Sequence, residues 1–123
     1  MAVHSPPRAV VCDADTVSAR LLGRHLERAG FMVSTCHTAH ACREAIAANS
    51  PRLVLLAVLL PDVDGLALVR QLRAEGLASP ILVVSALQAE TRAAEAGANA
   101  FLLKPVDATV LLDRVRLLVP ETI

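Results

Sequence analysis

An excess of charge of either sign is missing from this chain: twelve Lys and Arg balance twelve Asp and Glu. Phosphate contacts supply most nucleic-acid affinity, and they call for a basic surplus. Direct binding of DNA or RNA by this domain is therefore not expected. Long hydrophobic runs are missing too. The longest, Leu53 to Leu60, has eight residues, against the roughly 20 that cross a bilayer, so no membrane association is expected. The N-terminal MAVHSPPR carries no apolar stretch of signal-peptide type. Cysteine is scarce. Cys12, Cys36 and Cys42 are odd in number and form no CxxC pair, which points to reduced thiols and a cytoplasmic location. No GxGxxG or GxxxxGK[ST] loop occurs, so a nucleotide cofactor has no support. Lysine is nearly absent: eleven of the twelve basic residues are arginine, and Lys104 is the one exception.

What is present is apolar matter in quantity. Hydrophobic residues make up 54% of 123 residues, with a mean hydropathy of +0.53. Disorder is excluded for most of the length, and the size suits one domain with one core. Five apolar runs recur, at Ala9–Cys12, Phe31–Cys36, Leu53–Leu60, Ile81–Ser85 and Ala100–Leu103. They are short and mostly without alternation, as strands buried on both faces are. Between them, segments 17–29, 39–49, 66–75, 89–96 and 108–119 carry helical spacing; in the first, Leu21, Leu22 and Leu26 form one stripe. Gly30, Gly76 and Gly97 stand where a helix end wants positive φ, while Pro51 and Pro80 precede runs three and four. The expected fold is α/β: five β-α units in three layers, a doubly wound parallel five-stranded sheet with helices on both faces. The expected domain runs over 9–119, between an N-terminal tail at 1–8 and a tail or linker at 120–123. In such sheets function collects at the carboxyl ends of the strands, here Cys12–Asp15, Ala57–Asp64, Ser85–Leu87 and Lys104–Pro105.

Those strand ends resemble the receiver domain of two-component response regulators. VVCDAD closes the first run, LVLLAVLLPDVDG spans the third, LVVSA ends the fourth, and AGANAFLLKPV carries the fifth with its Lys-Pro pair. The likeness extends from Ala9 to about Val119. It implies a flavodoxin-like sheet of order 2-1-3-4-5 and phosphoryl transfer from a histidine kinase to an aspartate after strand three. It also implies acids after strand one that hold Mg²⁺, with a Ser/Thr and a Lys on the phosphoryl oxygens.

Measured against that pattern, the equipment is partial. The phosphoacceptor position falls on Ala57, flanked by Leu56 and Val58, and the acid pair falls on Asp13 and Ala14. A methyl group accepts no phosphoryl group, and one acid is a poor site for Mg²⁺; no metal and no cofactor are expected. Asp15 reads as an N-cap. Ser85 and Lys104 occupy the phosphoryl-contact positions. The sole ammonium of an Arg-biased chain stands at the family's lysine, where a planar guanidinium would not fit. Asp13 and Lys104 sum to zero charge and are expected to pair directly. Phe101 takes the switch aromatic's place and reads as core filling. The segment from Ser85 to Gly97 is about three residues shorter than the resemblance implies.

Three other features lie away from those strand ends. Cys36, His37, His40 and Cys42 cluster in sequence, but their spacing matches no common zinc pattern. They straddle a strand end and a helix start, so their side chains are expected to diverge, with Cys42 in the core. His25 and His4 stand alone without a nucleophile to serve. In the last helix Leu111, Val115 and Leu118 suit the core, whereas Val110 and Leu117 lie on a second stripe about 100° away, with Arg114 between them. That stripe is a candidate interaction face for a weak homodimer.

The reading is a degenerate receiver that works by protein–protein contact without phosphorylation, is not an enzyme, and partners a histidine kinase, an output domain or another signalling protein. The chain's end just after the last helix suggests the regulatory domain of a longer regulator. The alternative is a genuine phosphoacceptor domain carrying an Asp-to-Ala substitution at position 57. A small α/β enzyme is disfavoured, because no nucleophile–base pair is present.

Overall fold

The computed structural model describes residues 5–120. Five strands, β1 (Arg8–Cys12), β2 (Met32–Cys36), β3 (Leu53–Leu56), β4 (Ile81–Ser85) and β5 (Ala100–Leu103), alternate with five helices. The helices are α1 (Thr16–Arg28), α2 (Ala39–Asn49), α3 (Gly65–Ala74), α4 (Glu90–Ala96) and α5 (Ala108–Leu118). All strand pairs are parallel, and the order is β2-β1-β3-β4-β5. This is the doubly wound, flavodoxin-like arrangement, with its switch point between β1 and β3.

Strand alternation divides the core into two layers. Val10, Cys12, Val54, Leu56, Ile81, Val83 and Phe101 pack toward α2, α3 and α4. Ala9, Val11, Leu53, Leu55, Leu82, Val84 and Leu102 face α1 and α5. A run such as Leu53–Leu56 is apolar at every position because both of its faces are covered.

The structure corrects the sequence reading in places. β2 lies at the sheet edge, so Met32 is exposed and only Cys36 of the strand is fully buried. β3 stops at Leu56; residues 57–60 form the following loop, where Leu59 is exposed. Leu21 is exposed, and α1 seats itself with Ala19, Leu22, Gly23 and Leu26 instead. β1 starts at Arg8, one residue inside the segment assigned to a tail. His4, the rest of that segment up to residue 4 and residues 121–123 lie outside the described residues.

Helix ends follow local chemistry. Asp15, Thr38, Asp64 and Asp107 each accept a backbone N–H from the first turn of α1, α2, α3 and α5, satisfying donors that lack helical partners. Gly30, Gly76 and Gly97 adopt positive φ after α1, α3 and α4. Ser50 does the same after α2 at φ 45°, in a position where a glycine was not available to announce it.

Candidate functional site

The carboxyl ends of β1, β3, β4 and β5 bring Asp13, Ala57, Ser85 and Lys104 to one edge of the sheet. Asp13 follows β1 and is 4% exposed. Its amide donates to the Cys36 carbonyl at 3.0 Å, and its Oδ1 accepts the Asp15 amide at 3.0 Å. Oδ2 takes the Lys104 ammonium at 2.6 Å. The side chains of this pair are only 6% and 22% exposed, so the charges attract in a partly desolvated setting, where burial is tolerated because they are paired. The expected direct pairing of Asp13 and Lys104 is thus the geometry observed. His37 adds a contact between Nδ1 and the Asp13 carbonyl at 2.9 Å. Ala14 is exposed, in the bend between β1 and α1.

Ala57 sits one residue past β3, its amide donating to the Cys12 carbonyl at 3.0 Å. The loop beyond returns tightly upon it. The Gly65 amide donates to the Val58 carbonyl at 2.7 Å, and a Cβ at Gly65 would stand 2.0 Å from the Ala57 carbonyl oxygen. Only glycine fits there. Asp64 caps α3 through Leu66 N. Asp62 reaches across to α2, where its two oxygens accept the Ala39 and His40 amides at 2.8 and 3.0 Å. These bonds, Ala39's first, hold the Asp62 carboxyl below its ordinary range. This tie between the β3–α3 loop and α2 was not visible in the sequence, which gives no sign of the loop's path.

Ser85 is buried, and its Oγ accepts the Leu87 amide at 3.0 Å. Lys104 N donates to the Ser85 carbonyl at 2.8 Å, and the Lys104–Pro105 peptide is cis. Phe101 is buried in the core, as its reading predicted. On α5, Leu111 and Val115 are fully buried, while Leu118 is only half-buried. Val110 and Leu117 are 47% and 76% exposed, and Arg114 is half-buried. The cysteines depart from expectation. Cys36 and Cys42 do not diverge; they converge, and Cys12 joins them, with all three Sγ atoms within 4.8 Å of one another. Of the histidines in that stretch, His40 faces solvent beside Glu44.

A parallel sheet of order 2-1-3-4-5 with a lysine-proline turn and an acid at one edge defines a receiver-type signalling module. The family described as response regulator receiver domain matches residues 9–116, and the chain belongs to it. Protein PetR of Rhodobacter capsulatus is 36% identical over 126 residues, covering 97% of this chain and 52% of its own length. Response regulator MprA of Mycolicibacterium vanbaalenii is 35% identical over 120 residues, covering 95% and 52%. The chain therefore spans about half the length of the curated relatives it matches. Among solved structures, the BeF3-activated N-terminal receiver domain of Klebsiella pneumoniae RstA superposes with a TM-score of 0.85 at 31% identity, covering 90% of this chain and 97% of that one. Receiver domains of response regulators serve two-component signalling. Among the described residues no helix is long and apolar enough to cross a membrane.

Proposed function

We propose that this chain is a degenerate receiver, passing its signal by protein–protein contact without phosphorylation. The observation that carries the reading is the closed Asp13–Lys104 pair at 2.6 Å, beside an alanine where the resemblance places the phosphoacceptor. The Mg²⁺ that the family implies does not fit these residues. Asp13 has one oxygen on Lys104 and the other on the Asp15 amide, and neither Ala14 nor Ala57 offers a side-chain oxygen. A hard cation that binds through one or two free carboxylates, with waters completing a near-octahedral shell, finds only one acid here, and that one is already engaged. Electrostatic positioning is what phosphoryl transfer asks of a protein, and here that machinery is closed upon itself.

In this reading Ser85 and Lys104 are remnants that fix one conformation of the β4–α4 and β5–α5 loops. Contact falls to the surface. A groove of about 460 Å³ between α1 and the β5–α5 loop is lined by Val17, Leu21, Lys104, Pro105 and Val106 and offers exposed apolar surface to a protein partner such as a histidine kinase or an output domain. Val110, Arg114 and Leu117 on α5 form a second face, through which a weak homodimer assembles. The domain, read from the sequence as 9–119 and opening with β1 at Arg8, belongs to a cytoplasmic regulator and catalyses no reaction of its own.

The rival is a phosphoacceptor domain altered only at 57, and back-substitution separates the two. Ala57→Asp alone should remain unmodified by acetyl phosphate and Mg²⁺, because residue 14 still lacks its acid. Ala57→Asp together with Ala14→Asp should gain a phosphoryl group. Full modification of the single variant would favour the rival.

A further inference from the structure

All three cysteines of the chain meet at one point in the core, although they come from three elements. Cys12 closes β1 and Cys36 closes β2; they are register partners on adjacent parallel strands, so both side chains leave the sheet on the same face. Cys42 and Ala39 are the two buried residues of α2, the helix that covers that face. The sulfurs are free thiols, 1%, 6% and 0% exposed by residue, in an apolar setting that includes Val10 and Val54. Cys12 Sγ donates to the Thr38 carbonyl at 3.4 Å, and Cys36 Sγ donates to the Val11 carbonyl at 3.6 Å.

We propose that Cys12, Cys36 and Cys42 form a three-sulfur site for one soft, thiophilic cation of low coordination number, with Cu(I) as its representative. Sulfurs sharing one ion at about 2.3 Å stand about 4 Å apart in a trigonal plane. The cluster, already within 4.8 Å, reaches that geometry by a contraction of less than about 1 Å. Thiolates select Cu(I) and Zn(II), and the number of ligands chooses between them. Structural Zn(II) wants a fourth protein donor, and the neighbouring imidazoles do not supply one. His37 Nδ1 is engaged by the Asp13 carbonyl, and His40 sits beside Glu44 with its side chain 79% exposed.

All three thiols release their protons to solvent on binding, and the unit of one Cu(I) and three thiolates carries two net negative charges. Cys12 adjoins Asp13, and the Asp13 amide rests on the Cys36 carbonyl. An ion at the sulfurs would therefore clamp the ends of β1 and β2 directly beneath the receiver pocket, whether or not residue 57 is ever phosphorylated.

The test is an anaerobic titration of the reduced full chain with Cu(I), in competition with the chromophoric chelator bicinchoninate. In a parallel titration without the chelator, the absence of Trp and Tyr leaves sulfur-to-copper charge transfer in the near ultraviolet unobscured. One Cu(I) per chain is expected, with X-ray absorption showing three sulfur neighbours at about 2.3 Å and the amide spectrum remaining that of the folded domain. Cys36→Ser should weaken binding by more than the roughly 10–100-fold that loss of a ligand's hydrogen-bond partner costs, and His40→Ala should leave it unchanged. Zn(II) should compete poorly. Failure to withdraw Cu(I) from the chelator, fewer than three sulfur neighbours in the wild type, or equal affinity in the urea-unfolded chain would overturn the site. The X-ray absorption result needs no variant, so it decides the matter even if a serine substitution unfolds the domain.

Discussion

Replacing Lys104 by methionine leaves the Asp13 carboxylate buried with no countercharge. Removing one member of a buried pair commonly costs about 3–5 kcal/mol, because the remaining charge is uncompensated. Two features of this site reduce that figure. The Lys104 side chain is 22% exposed, so part of the pair's interaction is screened, and Asp13 keeps the Asp15 amide at 3.0 Å. About 2–3 kcal/mol is the expected loss for Lys104→Met. For a domain of this size that corresponds to a fall in Tm of roughly 6–15 °C. The reverse truncation is gentler. Asp13→Asn keeps an acceptor for the Asp15 amide, and the lysine left behind can swing toward water, so about 1 kcal/mol is expected. Urea unfolding of both variants and of the double variant closes a cycle, with an expected coupling of about 1–3 kcal/mol. If Lys104→Met unfolds at the wild-type urea concentration, the pair contributes nothing and the account of the pocket is wrong.

Gly65→Ala should destabilise by about 1–3 kcal/mol in the same assay, because its Cβ would meet backbone at Ala57 and Val58 rather than a yielding side chain; a neutral result would show that the turn relaxes freely. The Asp62 carboxyl is held below its ordinary range by the Ala39 and His40 amides, so its charged form stabilises the fold above the unfolded-state pKa. That contribution fades as pH falls through the lowered folded value, so the urea midpoints of wild type and Asp62→Ala should converge in acid. A gap that stays constant with pH would count against the capping role. On α5, sedimentation of the wild type at high micromolar concentration should show partial dimer that Leu117→Asp abolishes; identical monomers would remove the α5 interface.

Much of this fold was legible because its signals are local. Ile81–Ser85 and Ala100–Leu103 form strands at the residues expected, and three glycines mark helix ends with positive φ. The apolar run Leu53–Leu60 overstated β3 because a buried loop looks like a buried strand: Ala57 and Val58 are buried, like the strand before them. The exposure of Leu21 and Met32 was hidden for another reason. Whether an apolar residue at a helix margin or an edge strand is covered depends on its neighbours in space, not on its own spacing. The Asp13–Lys104 pair was predictable from charge arithmetic once the strand order was in view. That same order held the clue to the sulfur cluster. Cys12 and Cys36 each end a strand, and β1 and β2 are neighbours, so the two cysteines had to be partners. In the sequence Cys36 and Cys42 stand with histidines between them and Cys12 lies far off, which hides the third sulfur.

If this receiver works without accepting a phosphoryl group, as proposed, its intact mass does not change under a phosphodonor. The chain is incubated with acetyl phosphate and Mg²⁺ and weighed alongside a phosphorylatable receiver treated identically. The account predicts an unchanged mass for this chain while the control gains a phosphoryl group, and Mg²⁺ binding no tighter than about millimolar, since one engaged acid is a poor site. A stable increase of one phosphoryl group on this chain would contradict it.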